Sequence, residues 1–347
     1  MSRSAAQRVV LAARPSGEPK PTDFRLENHE VPAPGPGQLL LKTLYLSLDP
    51  YMRGRMNDTK SYSAPVALGD TMVGEVVARV EVSELEGFTA GDLVLAHSGW
   101  TSHALSDGTG LRKIDPQTAP IETRLGVLGM PGFTAYAGLR EIGKPKAGET
   151  VVVAAASGPV GSLVGQLAQR AGARAIGIAG GADKCAYVRD VLGFDGVIDH
   201  HADDFADQLA TACPDGIDVY FENVGGPVWQ AVFPLLNQFA RVPVCGLIAD
   251  YNGSTSSPLD GIAVPALMRG ILTRSLTIRG FINYDLNYCF ADFIKEVGPA
   301  VKRGDIHHLE DTVDGLENAA TTFIGMLKGR NFGKVLVKVG SLQASLI

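Results

Sequence analysis

A glycine-containing turn at residues 156–161 carries the clearest chemistry in this chain. It follows the apolar, β-branched run Val151–Val153 and opens a helical pattern that extends to Ala171. The turn has the pattern A-x-G-x-x-G, in which Gly158 lets the backbone approach a phosphate and Gly161 lets the helix pack closely on the strand. A strand, such a turn and a helix in that order hold a dinucleotide pyrophosphate at the helix N-terminus. The pattern therefore predicts a dinucleotide site; a glycine-rich packing turn without a ligand is the alternative.

The second strand of this unit distinguishes the two nicotinamide dinucleotides. An NAD site usually has an acidic residue about 20 residues after the fingerprint, which binds the ribose 2′-hydroxyl. Here the apolar run Ala175–Ala179 ends in Gly180-Gly181-Ala182, and Asp183 is the first acidic residue. Lys184 follows, where its ammonium group could bind a 2′-phosphate. The pattern favours NADP; a solvated lysine at the start of a helix is the alternative interpretation of Lys184.

Composition limits the class of protein. With 347 residues the chain is too long for one ordinary core, which predicts two domains. A hydrophobic fraction of 45% and a charged fraction of 20% are typical of a soluble globular protein. The net charge of −6 argues against nucleic acid as the main partner. The sequence has no apolar run long enough for a membrane span, and Arg14 interrupts the short apolar segment near the N-terminus, which argues against a signal peptide.

Cysteine and histidine spacing predicts no metal site. The four cysteines are scattered and form no C-x-x-C pair, so we expect reduced thiols in a cytoplasmic protein. Two pairs of histidines are adjacent in sequence, His200-His201 and His307-His308. Neighbouring side chains diverge on a strand or a helix, so neither pair is expected to form a joint ligand set.

The order of apolar runs predicts an α/β protein with a second, β-rich part. Up to residue 130, short runs alternate with turn signals, as in Gln38–Leu48 and Met72–Val82, which is an antiparallel β pattern. From residue 131 onward, strands alternate with helices, which predicts a doubly wound parallel sheet. The apolar runs there span 151–156, 175–179, 217–221, 241–248 and 276–282. A helix at Leu316–Leu327 and a strand at Lys334–Val339 are predicted to close the chain.

Six strings together resemble the zinc-independent medium-chain dehydrogenase/reductases, and most closely the NADPH-dependent alkenal/one oxidoreductases, which include leukotriene/prostaglandin reductases and curcumin reductase. The strings are DPYMRGRM (49–56), AASGPVGS, GIAGGADKC, YFENVGG (220–226), VPVCGLIADYN (242–252) and GRNFGK (329–334). The resemblance implies a GroES-like catalytic domain from residues 1–130 and 306–347. It implies a Rossmann NADP-binding domain from 131–305, with the active site in the cleft.

The resemblance also implies a reaction. NADPH would reduce the C=C bond conjugated to the carbonyl of an aldehyde or ketone, with hydride delivered to the β-carbon. The protein would align the nicotinamide and stabilise the enolate charge. Zinc-dependent relatives carry a metal-binding histidine in a segment that here reads Gly69–Gly74, without histidine. A quinone reductase and a non-catalytic NADPH-binding protein are the alternatives, because fold alone does not fix function.

The resemblance assigns roles to individual residues. Tyr251 is the main catalytic candidate, either as a proton donor or as a residue that positions substrate and nicotinamide, with an ordinary turn tyrosine as the alternative. Tyr51 is the second catalytic candidate, for the substrate pocket. The predicted cofactor-binding residues are Met130, Gly158, Pro159, Val160, Gly161, Lys184, His200, Asn223, Cys245, Gly246, Leu247, Tyr251, Phe281, Ile282, Asn283 and Asn331.

Two further cofactor assignments have local alternatives, and one position departs from the family pattern. Asn223 could form an ordinary Asx turn, and Asn331 could be a left-handed residue at a helix end. In the family a tyrosine often packs by the 2′-phosphate, where this chain has Asp199-His200-His201. His200 could replace that contact, either by stacking on the adenine or, when protonated, by binding the phosphate. Asp199 beside it would repel phosphate. A homodimer is a further expectation from the family, and the loop Asp250–Ala263 is expected to shape the substrate pocket.

Overall fold

The structure is a computed structural model that describes residues 4–253 and 263–341. It divides into two compact units, one formed by residues 1–125 with 310–347 and the other by residues 126–309. In the described residues up to 125, the strands and the single α-helix are β1 (Ser4–Leu11), β2 (Phe24–Val31), β3 (Leu39–Ser47), α1 (Tyr51–Arg55), β4 (Val76–Ser83), β5 (Leu93–Ala96), β6 (His103–Ser106) and β7 (Arg112–Lys113).

The second unit alternates strands and helices. Its described elements are α2 (Met130–Gly138), β8 (Thr150–Ala154), α3 (Gly161–Arg170), β9 (Arg174–Ala179), α4 (Ala182–Asp190), β10 (Gly196–Asp199), α5 (Phe205–Ala212), β11 (Ile217–Phe221), α6 (Gly226–Val232), β12 (Leu236–Val244), α7 (Val264–Arg274), β13 (Thr277–Gly280) and α8 (Phe290–Arg303). The chain then returns to the first unit with β14 (Glu310–Asp314), α9 (Ala319–Leu327) and β15 (Lys334–Lys338).

A six-stranded parallel sheet organises the second unit, in the order β10-β9-β8-β11-β12-β13. Every residue of β8 is buried, as expected for the middle of a sheet covered on both faces. The strand order reverses between β8 and β11. Doubly wound sheets bind their ligands at such a switch point, outside the carboxyl ends of the strands.

A mixed sheet organises the first unit. Its order is β14-β15-β3-β4-β5-β7, with β6 paired to β3. Seven of the nine residues of the central strand β3 are buried. Three rings anchor the core: Phe24 stacks on Trp100 with centroids 5.6 Å apart, and Phe323 of α9 meets Trp100 edge-on at the same distance. The C-terminal segment is thus part of this core.

The predicted α/β class is confirmed, and five predicted apolar runs correspond to β8, β9, β11, β12 and β13. The predicted start of β12 at residue 241 is wrong, because the strand begins at Leu236. A bulge explains the difference: Ile217 pairs with Leu236 but Val219 pairs with Arg241, and Phe239 within the bulge has a φ of +63°. This exposed segment breaks the apolar pattern.

Candidate functional site at the carboxyl ends of the parallel strands

The fingerprint turn between β8 and α3 requires glycine for steric reasons. Ala155 has a φ of +53°, and its carbonyl accepts a hydrogen bond from the Gly158 amide at 2.9 Å. A Cβ on Gly161 would lie 2.9 Å from the Ala155 carbonyl carbon and closer still to its oxygen. The turn therefore lies directly against the N-terminus of α3, whose first amides lack acceptors within the helix. This geometry suits a phosphate group, and Pro159 and Val160 complete the turn.

Asn223 ties together the two strands of the switch point. Its side-chain Nδ2 donates to the Ala154 carbonyl oxygen at 2.8 Å, so it joins the end of β11 to the end of β8. Its own carbonyl accepts the Ile248 amide at 3.3 Å. An Asx turn would need the Gly225 amide to donate to the Asn223 side chain, but that amide donates to Glu222 Oε1 at 2.9 Å, so the Asx-turn alternative is wrong.

Glu222 is a functional candidate that the sequence analysis missed. Its side chain is buried, and its Oε1 accepts hydrogen bonds from Tyr220 Oη at 2.9 Å, the Val224 amide at 2.7 Å and the Gly225 amide at 2.9 Å. Burial raises the pKa of this carboxyl group, whereas the backbone hydrogen bonds lower it. Glu222 therefore shapes the turn beside Asn223. The only sequence signal was an acidic residue at a strand end, which does not reveal burial.

Glu222 and Asn223 also hold the loop after β12. The Glu222 carbonyl oxygen accepts the amides of Cys245 and Gly246, at 3.0 and 3.2 Å. Burial raises the pKa of the Cys245 thiol to about 12, so the thiol stays neutral at physiological pH. Tyr251 turns back over this loop, and its hydroxyl oxygen accepts the Leu247 amide at 3.4 Å. Residues 254–262, most of the predicted pocket loop, lie outside the described residues.

Basic side chains gather at the ends of β9 and β10. Lys184 is in the first turn of α4, and His200 and His201 directly follow β10. The two imidazole rings lie 4.2 Å apart, edge to face, so the prediction that these side chains diverge is wrong. The reason is that they occupy a turn, where the alternation of a strand no longer applies.

The remaining predicted residues of this unit lie on α2 and after β13. Met130 begins α2, and its carbonyl accepts the Thr134 hydroxyl at 2.8 Å. The Phe281 ring is buried against Phe221, with centroids 6.4 Å apart, so only its main chain is available to a ligand. Ile282 and Asn283 follow it and are partly exposed.

In the first unit, Tyr51 begins α1 beside a buried ion pair. Lys334 Nζ donates to Asp49 Oδ1 at 2.8 Å and to the Leu48 carbonyl at 2.7 Å, and both charged side chains are at most 5% exposed. The Ser47 hydroxyl donates to the other Asp49 oxygen. Burial, reinforced by the charge of Asp49, raises the pKa of Tyr51, which therefore keeps its proton at physiological pH. Neither Asp49 nor Lys334 was predicted as a site residue from the sequence.

Asn331 lies in the loop between α9 and β15 of the same unit. Its Nδ2 donates to the Gly333 carbonyl at 3.0 Å. Gly329, with a φ of +67°, is the left-handed residue after α9, and Asn331 is not one of the residues with positive φ. The alternative of a left-handed helix-end asparagine is therefore wrong. Contact of Asn331 with a cofactor stays a prediction.

Within the described parts of the chain, no group of three or more His, Cys, Asp and Glu side chains is arranged to hold a metal ion. Residues 4–253 and 263–341, which the structure describes, include no helix long and apolar enough to cross a membrane.

Comparison with known proteins identifies the class to which this fold and this strand-end site belong. Residues 7–114 match a family described as the N-terminal domain of oxidoreductase, and residues 159–298 match one described as zinc-binding dehydrogenase. The chain is therefore an oxidoreductase of the medium-chain dehydrogenase/reductase superfamily.

Individual relatives narrow the assignment. The chain is 54% identical to the NADPH-dependent curcumin reductase of Escherichia coli, over 96% of both chains. It is 37% identical to a 2-alkenal reductase (NADP(+)-dependent) of Nicotiana tabacum, over 96% of this chain and 97% of that one. The crystal structure of CurA in complex with NADPH from Vibrio vulnificus matches with a TM-score of 0.93 and 49% identity, over 96% of this chain and 99% of that one. The chain belongs to the alkenal/one oxidoreductase family.

Proposed function

We propose that this protein uses NADPH to reduce the C=C bond of α,β-unsaturated aldehydes and ketones, by transfer of hydride to the β-carbon. The observation that carries the proposal is the 54% identity to an NADPH-dependent curcumin reductase over 96% of both chains. Curcumin reductase and 2-alkenal reductase share this substrate chemistry, since both names denote conjugated C=C bonds next to a carbonyl.

The residues at the strand ends fit NADP(H). The pyrophosphate would bind the amides of the turn 158–161, where a Cβ on Gly161 would fill space next to Ala155. Lys184 and His200 would bind the 2′-phosphate. The nicotinamide half would lie along the loops after β11, β12 and β13, the positions of Asn223, Gly246 and Ile282. When bound, NADPH supplies the hydride.

Each of the two units would have a separate role. Residues 131–305 would bind the dinucleotide, and residues 1–130 with 306–347 would form the GroES-like catalytic domain. Support for this division comes from the parallel sheet with its switch point in the second unit and the mixed sheet in the first. Met130 would contact the cofactor from α2 and Asn331 from the loop before β15.

Two tyrosines would contact the substrate. Hydride transfer to the β-carbon leaves negative charge on the carbonyl oxygen, and a phenol that keeps its proton can donate a hydrogen bond to that oxygen. Tyr51 meets this requirement because burial holds its pKa above the ordinary value. Tyr251 lies on the loop that also carries Cys245 to Leu247, held by the Leu247 amide. We assign Tyr251 to the nicotinamide and substrate carbonyl, and Tyr51 to the substrate pocket.

We also propose a homodimer. The strand β13 is an edge of the six-stranded sheet and pairs only with β12 among the described strands. Helix α7, which precedes it, has no buried residue, and its side chains Val264, Met268 and Leu272 are 69%, 58% and 80% exposed. A second copy, paired along this edge, would cover them.

The four cysteines form no disulfide bond, which supports our proposal of a cytoplasmic location.

NADPH consumption with a panel of enals, enones and quinones tests the proposed function, with NADH in parallel. We expect turnover of enals and enones with NADPH preferred, and the saturated carbonyl compound as product. Turnover confined to quinones would instead support a quinone reductase. Tight NADPH binding without any turnover would support the binding-only alternative.

A further inference from the structure

This inference rests on the proposed NADPH site and concerns the end that receives the adenosine ribose. In doubly wound folds the carboxyl end of the second strand recognises the substituent at the ribose 2′ position. Here that strand is β9, followed by Gly180 and Gly181. The nearby carboxylate of Asp199 is already engaged, because its Oδ1 accepts the amides of Gly181 at 3.0 Å and His201 at 2.9 Å.

The ring of His200 lies over this strand end. A Cβ built on Gly180 would be 2.7 Å from His200 Nε2 and 3.0 Å from His201 Cε1. No larger residue than glycine fits at position 180 without displacing the rings. The glycine therefore lets the His200 ring pack against the end of β9, and its Nε2 lies at the strand end that faces the ribose 2′ position in such folds. We propose that protonated His200 binds the adenosine 2′-phosphate and that discrimination between NADPH and NADH increases as pH falls.

The surroundings of His200 set the direction of this dependence. Burial lowers the pKa of His200, the positive charges of His201 and Lys184 lower it further, and Asp199 opposes them. Free His200 is therefore mainly neutral near pH 7. A bound phosphate dianion favours the protonated ring and raises the pKa. Between the two pKa values NADPH binding takes up a proton, and NADPH affinity falls as pH rises through this range.

The charge of Asp199 does not reverse the predicted fall in NADPH affinity as pH rises. Its pKa is lowered, first by the Gly181 amide and then by the His201 amide, so the carboxylate stays ionised across the range and contributes a constant charge. The change in NADPH affinity between about pH 6.5 and 8.5 would thus come from the imidazole, as the phosphate itself has a second pKa of about 6.

Isothermal titration calorimetry tests the proposal with a readout independent of turnover. NADPH and NADH would be titrated into the full-length wild type, His200→Asn and His201→Asn at pH 6.5, 7.5 and 8.5. Two buffers of different ionisation enthalpy give the number of protons taken up. For the wild type we expect proton uptake with NADPH, none with NADH, and an NADPH affinity about tenfold higher at pH 6.5 than at 8.5.

The two variants separate the possible outcomes. His200→Asn should lose the proton uptake and most of the pH dependence while its NADH affinity stays within twofold, whereas the matched control His201→Asn should keep the proton uptake. Equal proton uptake in His200→Asn and the wild type would overturn the proposal, as would loss of uptake in His201→Asn alone. Failure of all three proteins to bind NADPH at any pH would instead contradict the proposed function.

Discussion

At the residue scale, the atoms around a glycine decide whether a larger residue can replace it. Gly161 is restricted by backbone atoms, which cannot move away as the end of a flexible side chain can. Gly298 in α8 is the opposite case, since a Cβ there would meet nothing within 4 Å.

We predict that Gly161→Ala weakens NADPH binding by at least tenfold, because the new Cβ would displace the fingerprint turn from the N-terminus of α3. The matched control Gly298→Ala should leave NADPH binding unchanged and stabilise the fold by up to about 1 kcal/mol, through helix propensity. Fluorescence titration with NADPH and urea denaturation measure the two effects. Equal NADPH affinity in both variants would contradict the assignment of the turn.

The hydroxyl of Tyr251 gives a second prediction. If it donates a hydrogen bond or a proton to the developing enolate, Tyr251→Phe should lower kcat by about 10²-fold or more, with little change in NADPH affinity. Tyr51→Phe should lower kcat or raise KM for the enone. Tyr284→Phe is the control, since that side chain is 56% exposed and has no assigned role. Steady-state kinetics with an enone measure all three, and unchanged kinetics in Tyr251→Phe would remove its catalytic role.

At the element scale, two buried carboxylates hold loops in place. Glu222 fixes the turn after β11 and, through its carbonyl, the loop after β12. Asp49 joins the segment before α1 to the start of β15 through Lys334. In each unit a buried polar group thus connects segments that carry predicted site residues.

The Lys334–Asp49 pair gives the third prediction. Lys334→Met leaves the Asp49 carboxylate buried without its cation and should reduce the free energy of unfolding by about 3–5 kcal/mol. Lys328→Met, which removes the surface pair with Glu18, should cost less than about 1 kcal/mol, because those side chains are 35% and 50% exposed. Urea denaturation compares them. The double variant Lys334→Met/Asp49→Asn should recover part of the loss; no recovery would show that the charge of Asp49 is not the cause.

The sequence predicted many of the strands and helices, but it did not predict the contacts between residues that are distant in sequence. The unit β8–turn–α3 was predictable because an apolar run, two glycines and a helical pattern are local signals. The Lys334–Asp49 pair was not, because it joins residues 285 apart in sequence. The meeting of His200 and His201 over Gly180 also depends on a turn geometry that periodicity does not encode. Asn223 was predicted at the site, but its bond to Ala154 follows only from the strand order.

At the scale of the whole molecule, the proposed dimer predicts a response to charge on α7. Leu272→Glu would place a carboxylate in the proposed interface and should shift the protein from dimer to monomer. Leu26→Glu, at a side chain of the first unit that is 41% exposed, is the control and should leave the dimer intact. Light scattering coupled to size-exclusion chromatography gives the mass. A wild-type mass near 36.6 kDa would contradict the dimer.

The central claim is hydride transfer from NADPH to the β-carbon of an enone, and isotope labelling tests it most directly. The wild type would be supplied with NADPH deuterated at C4 of the nicotinamide and a simple enone, and the product analysed by NMR. We predict a saturated ketone with deuterium at the β-carbon and a solvent-derived proton at the α-carbon. Deuterium at the carbonyl carbon, in an allylic alcohol, would contradict it.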